Sequence, residues 1–411
     1  MKTVKYLLIG GGLASHSAAA RIRQLDSSGS ILIVGAEKRR PYDRPPLSKY
    51  YMQGQQKIEE VFLKDEPFYR QQNIELMLGA PVERLDAAGK TAAAADGQMI
   101  QFGKALLATG GRPVRLNLPG TGLAGVHYLR TIDDAMAISD EAAEGKKAVI
   151  IGGGFIGLEL AASLTQRGAK VTLLERREHI WRHFADARLA GFFQDSCARH
   201  GVTILTNEQA LEIRGAGKVS SVLTASARLL PCDFVCIAVG IVPNVELAGA
   251  AGLKVDDGVA VNASGQTSCA DIYAAGDIMN FLDPHAGVRR RVEHWGNAEY
   301  SGGLAGANMA GAAERYALLN YIWSDIFDLH LEFAGDERGY EKMLMRGRME
   351  DRSFAIFYLR DGLLKAYFAV NYKKKQYVPL QKLIEKRVSL ADKEAQLQDP
   401  AFDVATLAPK G

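Results

Sequence analysis

One turn, written twice, limits what this chain can fold into. Residues 5–15 read KYLLIGGGLAS, and residues 147–157 read KAVIIGGGFIG. In each copy a short apolar run leads into three glycines, a helical stretch rich in alanine and leucine follows, and a second apolar strand closes the unit. The closing runs SILIVGAE and KVTLLE end at Glu37 and Glu175, each about 20 residues beyond the glycines. Both copies therefore read as complete strand–helix–strand units. Gly10 and Gly152 allow the tight turn, and Gly12 and Gly154 let backbone N–H groups approach a pyrophosphate at a helix N-terminus. The terminal carboxylate then receives a ribose hydroxyl. Gly157 completes the second copy, whereas Ser15 stands at the matching place in the first and weakens that match.

Two such units call for two dinucleotides, one held firmly and one exchanged, which is what electron transfer from a nicotinamide to a flavin requires. The expected fold is α/β, with two Rossmann-like dinucleotide-binding domains and a C-terminal α+β domain. A length of 411 residues exceeds the usual single core and agrees with several domains. Fifty basic and 47 acidic residues leave a net charge of +3, too small for wholesale nucleic-acid binding. Cys197, Cys232, Cys236 and Cys269 form no CxxC, so neither a disulfide framework, a zinc ribbon nor a dithiol centre is expected. The N-terminal run MKTVKYLLIGGGLAS resembles a signal peptide only superficially, because the glycines interrupt it. It reads as a buried first strand. No apolar run reaches the roughly 20 residues a membrane helix needs, so a cytoplasmic protein without membrane attachment is expected. ALLATGGRP at 105–113 and DFVCIAVGIVPN at 233–244 read as strands ending in glycine turns where the chain crosses between domains.

RRPYDRPPLSK at 39–49, GGGFIGLELA at 152–161, DIYAAGD at 271–277 and VEHWGNAEYSGGLAGANM at 292–309 resemble the FAD-dependent NAD(P)H:ferredoxin and rubredoxin reductases. That family lies in the glutathione-reductase-like superfamily, alongside apoptosis-inducing factor and monodehydroascorbate reductase. NYIWSDIFDLHLEFAGD at 320–336 is similar to its C-terminal domain. The resemblance implies FAD in the first unit and NAD(P)H in the second. It also implies an FAD-binding domain of residues 1–113 and 241–316, interrupted by an NAD(P)H-binding domain at 114–240, with a C-terminal domain at 317–411. Where a disulfide reductase carries its cysteine pair this chain has PYDRPPLSK, so the flavin itself would accept hydride and deliver electrons onward.

Several residues acquire expected roles. Ser48 is suited to cap a helix starting near it, and Lys49 would lie near the flavin N5 edge. Glu159 is an acid in the otherwise apolar FIGLELAASL, costly there unless paired, and Lys49 is the expected partner. Lys49 and Glu159 are thus the expected catalytic pair. Arg44 would contact the FAD pyrophosphate, Arg130 would reach back to FAD, and Asp277 would accept a ribityl hydroxyl. VEHWGN at 292–297 opens a helical pattern, and Trp295 would bring its backbone N–H to the flavin, with Glu293 and His294 beside it. The cofactor-binding set is completed by Leu13, Ala14, Lys38, Pro45, Val82, Ala108, Thr109, Gly110, Phe155, Ile156 and Gly240. Trp323 is expected in a C-terminal-domain loop near the flavin face. Glu175 favours NADH over NADPH by repelling a 2′-phosphate, although Arg176 and Arg177 leave NADPH possible.

RSFAIFYL and LLKAYFAVN read as strands joined by the turn RDG, followed by a helical PLQKLIEKR, with YKKKQY at 372–377 as a solvated basic turn. The expected partner is a small acidic ferredoxin, rubredoxin or Rieske-type protein, docked on a patch formed by Arg289, Arg290 and Arg291, with the reductase a monomer or homodimer. Two other functions share these motifs: an NADH dehydrogenase for a small acceptor, and a binding protein that responds to NADH as apoptosis-inducing factor does.

Overall fold

The computed structural model describes residues 1–181 and 186–409. Lys2–Ile9 runs parallel between Ile31–Gly35 and Met99–Leu107, and Ile74–Leu78 lies outside Ile31–Gly35. Tyr6, Leu7, Leu8 and Ile9 are all buried, as expected of a central parallel strand with both faces covered. Met99–Leu107 pairs near its start with Thr91–Ala94, which leads out to Val82–Asp86, and near its end in parallel with Ile272–Ala274. A strand from beyond residue 270 thus completes a sheet begun at residue 2. A second sheet holds five parallel strands in the order Thr203–Leu205, Lys170–Leu174, Lys147–Ile151, Phe234–Ile237 and Val126–Tyr128.

The two crossings between these sheets are paired with each other. Gly111–Pro113 and Ile241–Pro243 form an antiparallel pair. Beside it Thr109 Oγ1 donates to the Asn244 carbonyl at 2.6 Å, and Asn244 Nδ2 donates to the Thr109 carbonyl at 2.9 Å. Both segments are therefore held in one register at the mouth of the first sheet.

The Leu13–Leu25 helix lies against the Trp295–Met309 helix with backbones nearly touching. A Cβ at Gly302 would sit 2.2 Å from the Ala14 carbonyl oxygen, and one at Gly306 would sit 2.4 Å from that of Ala18. No larger residue fits, so this glycine pair fixes how the later helix lies over the first glycine turn.

The C-terminal sheet is antiparallel, in the order Tyr321–Ile326, Leu329–Gly335, Leu363–Val370, Ser353–Arg360 and Lys342–Arg348. Two expectations change here. Trp323 lies on the Tyr321–Ile326 strand, paired with Glu332, and not in a loop. YKKKQY does not form a turn; it leads into the Lys374–Glu385 helix, because Tyr377 buries its ring in the C-terminal core. Among the described residues no helix is long and apolar enough to cross a membrane.

Candidate active site

At the first turn Gly10 has φ +125°, and a Cβ there would lie 2.0 Å from the Ala108 carbonyl oxygen. Glycine is the residue that lets the turn press against the end of Met99–Leu107. Gly12 caps the Leu13–Leu25 helix without any side-chain cap, and a Cβ on it would meet nothing within 4 Å. Leu13 and Ala14 follow in the first helical turn, so their amides lie at the positive end of the helix beside the open space at Gly12, a setting that fits a pyrophosphate.

Charged groups ring this space. Glu37 pairs with Arg44 at 2.7 Å and accepts the Tyr42 hydroxyl at 2.5 Å, while Arg44 also donates to the Arg130 carbonyl. Arg130 Nη2 donates to Asp277 Oδ2 at 2.8 Å beside Gly110, and its Nε is buried without a hydrogen-bond partner. That buried donor is a second feature that fits a dinucleotide. His294 is the N-cap of the Trp295–Met309 helix, and Trp295 Nε1 donates to Asp43 Oδ1 at 2.7 Å, tying the helix start to the loop before Pro45. Lys38 packs beside Gly79, and Val82 begins an edge strand partly packed on the core beneath it.

The second turn repeats the backbone with different surroundings. Gly152 has φ +116° with its would-be Cβ 2.3 Å from the Ala238 carbonyl oxygen, and a Cβ at Gly157 would lie 2.0 Å from the Gly152 carbonyl oxygen. Gly154 again faces open space at an uncapped helix start. Glu175 is held by backbone, accepting from Gly153 N at 2.9 Å and Arg177 N at 2.8 Å. Phe155 is half-buried, and Ile156 and Gly240 are exposed.

Between this helix and the C-terminal sheet lies a buried charge pair. Lys49 Nζ is 2.7 Å from Glu159 Oε1, and each side chain is only 5% exposed. Ser48 Oγ donates to Glu159 Oε2 at 2.5 Å, Ser324 Oγ donates to Oε1 at 2.5 Å, and the Trp323 ring centroid is 4.3 Å from Lys49 Nζ. The carboxylate therefore has donors on both oxygens, and the ammonium has a carboxylate and an aromatic face. Removing one partner of such a buried pair typically costs about 3–5 kcal/mol, because the other charge is left stranded. Ser48 is not the N-cap of a following helix. Pro45–Leu47 forms one short 3₁₀ turn that Ser48 closes, and its hydroxyl is taken by Glu159.

The expected cationic patch is largely neutralised within the chain. Arg290 pairs with Asp283 at 2.5 Å, and Arg291 pairs with Glu293 at 2.6 Å and Asp257 at 3.0 Å. Arg289 is exposed and donates to the carbonyls of Val261 and Asn280, and among the described residues it forms no ion pair. Ser324, Asn244 and Gly302 take part in the site or its framework without having been singled out in the sequence. The small-residue run SGGLAGANMAG was the one available signal, for Gly302.

Comparisons with known proteins agree with this geometry. Residues 4–302 match the pyridine nucleotide-disulphide oxidoreductase family, and residues 321–408 match a reductase C-terminal family. A probable ferredoxin reductase of Castellaniella defragrans is 33% identical over 98% of both chains. The putidaredoxin reductase of Pseudomonas putida is 32% identical over 89% of this chain and 88% of its own. Among solved structures, the ferredoxin reductase for the CYP199A2 system of Rhodopseudomonas palustris covers both chains fully, with a TM-score of 0.92 and 32% identity. The covalent putidaredoxin reductase–putidaredoxin complex matches 99% of this chain and 98% of that one, with a TM-score of 0.94 and 30% identity. Two uncapped glycine turns, the buried Lys49–Glu159 pair and these likenesses lead to one conclusion: the chain belongs to the FAD-dependent ferredoxin and rubredoxin reductases, flavoprotein oxidoreductases that use FAD and NAD(P)H.

Proposed function

We propose that this protein takes reducing equivalents from NADH and passes them to a small ferredoxin, rubredoxin or Rieske-type protein of an oxygenase-like system, in the cytoplasm. The observation that carries this reading is the buried Lys49–Glu159 pair, whose acid lies on the helix of the second glycine turn. The cysteines support it by exclusion: Cys197, Cys232 and Cys236 are buried and free, and burial pushes their thiols up to about 12. They do not serve as a thiolate relay.

In this reading FAD is held by residues 1–113 and 241–316, NADH by 114–240, and 317–411 covers the pair. Bound FAD supplies a two-electron acceptor for the nicotinamide that hands electrons on singly. The chain does the rest. The amides behind Gly12 take the pyrophosphate, with Arg44 and Arg130 supplying positive charge, and Glu37 and Asp277 accept hydroxyls. The second turn takes the pyrophosphate of NADH, and Glu175 accepts ribose hydroxyls while disfavouring a 2′-phosphate. Lys49 presents its ammonium where negative charge develops, and Glu159 keeps it oriented. Arg289 is the one member of the arginine triplet left to meet an acidic partner.

Steady-state assays test the reading. Ferricyanide should be reduced fast with NADH alone, and cytochrome c only when a ferredoxin or rubredoxin is added. Slow ferricyanide reduction, or fast cytochrome c reduction without an added carrier, would contradict it.

A further inference from the structure

The C-terminal domain reaches the Lys49–Glu159 pair through the Ser324 hydroxyl and the Trp323 ring. Ser324 is fully buried, and its Oγ donates to the same Glu159 oxygen that Lys49 approaches. It comes from the Tyr321–Ile326 strand, where neighbouring side chains point to opposite faces. That alternation divides the work between two adjacent residues. Ser324 turns towards Glu159 with its cross-strand partner Leu331, which lies in the core shared with the second domain, while Trp323 lies over the Lys49 ammonium.

The hydroxyl count shows why this matters. A serine has one proton to give, and both Ser48 and Ser324 give theirs to Glu159. The backbone behind Ser48 is fixed in turn, since Ser163 Oγ donates to the Ser48 carbonyl at 2.7 Å. Ser48 therefore sits in a local scaffold, whereas Ser324 is delivered from 165 residues away. The hairpin that delivers it is anchored at its turn, where Phe327 stacks on His200 with centroids 4.0 Å apart.

Building on the proposed role of Lys49 and Glu159, we infer that Ser324 is a positioning residue for reduction by NADH. Its hydrogen bond holds the Glu159 carboxylate where it fixes the Lys49 ammonium, so that the C-terminal domain sets the geometry of the site as well as covering it. No electron or proton passes through Ser324.

The test uses the FAD-loaded protein with Ser324→Ala, Ser324→Thr, Lys49→Met and the Ser324→Ala/Lys49→Met double variant. Stopped-flow reduction at saturating NADH, the NADH dissociation constant and the flavin midpoint potential are measured for each. Ser324→Ala should slow reduction about tenfold, the worth of one hydrogen bond to a charged group, and should shift the midpoint potential downwards, with little change in NADH affinity. Ser324→Thr should restore both. The double variant should be no slower than Lys49→Met alone, because Ser324 acts through that pair. If Lys49→Met impairs reduction while Ser324→Ala matches wild type in rate and potential, the inference is overturned and the site reading stands. Full additivity of the two substitutions overturns it equally, as does failure of threonine to rescue. If Lys49→Met changes neither rate nor potential, the site reading and the inference fall together.

Discussion

The two glycine turns have almost the same backbone and differ in exposure where each helix begins. Ala14 in the first is buried, whereas Ile156 at the matching place in the second is 42% exposed. Gly12 is half-buried and Gly154 exposed. The difference comes from what lies on top. The Trp295–Met309 helix closes over the first turn through Gly302 and Gly306, and Gly276 packs on Ala14. The second turn keeps an open flank at Gly154 and Ile156, and its helix is buried from Gly157 to Leu164. The acids differ in the same sense: Glu37 is held by the side chains of Arg44 and Tyr42, Glu175 by backbone amides. In the proposed reading, one local motif makes a resident site or an exchanging site according to its cover.

The largest way to break this contrast is to lift the cover. Gly302→Val forces apart backbones that a Cβ would already overlap, at a cost of about 3 kcal/mol. The protein should purify without flavin or lose it on dialysis, as read by absorbance, whereas Gly157→Ala should keep its flavin and weaken NADH binding roughly tenfold. Flavin retention by Gly302→Val would show that the helix cover is not what holds FAD.

Next in size is the pair beneath the open turn. Lys49→Met should slow flavin reduction by roughly a hundredfold, and adding Glu159→Gln should cost less than the sum of the single effects. Wild-type rates in each single variant would remove the pair from the reaction. Smaller still is the effect of Glu175→Ala, which should narrow the preference for NADH over NADPH by about tenfold in kcat/KM, the equivalent of roughly 1.4 kcal/mol. Better efficiency with NADPH in the wild type would contradict the assigned role of Glu175.

The sequence made both turns legible because glycine at Gly10, Gly12, Gly152 and Gly154 answers local demands of backbone conformation and space. Glu159 also announced itself, since an acid inside FIGLELAASL is an energetic anomaly that asks for a partner. Ser324 and Ser48 carried no such signal: serine fits helix caps, surfaces and cores alike, and their meeting at Glu159 depends on strand register far along the chain. Two prolines before Ser48 suggested a helix start, but the chain makes one 3₁₀ turn and gives the hydroxyl to Glu159. In the arginine triplet, charge was visible in the sequence before its compensation was. Asp283 meets Arg290 where the Met279–Leu282 and Arg289–Arg290 strands pair, and Asp257 reaches Arg291 from 34 residues away, while Glu293 stands only two residues from Arg291.

The central claim is that one motif, used twice, holds one nucleotide and exchanges the other. Loading the protein with FAD and NAD⁺ together, passing it rapidly through a desalting column and quantifying both nucleotides in the protein fraction tests this directly. The account predicts a yellow protein carrying one FAD per chain and no retained nicotinamide nucleotide. Loss of FAD as complete as that of NAD⁺, or retention of both in equal amount, would contradict it.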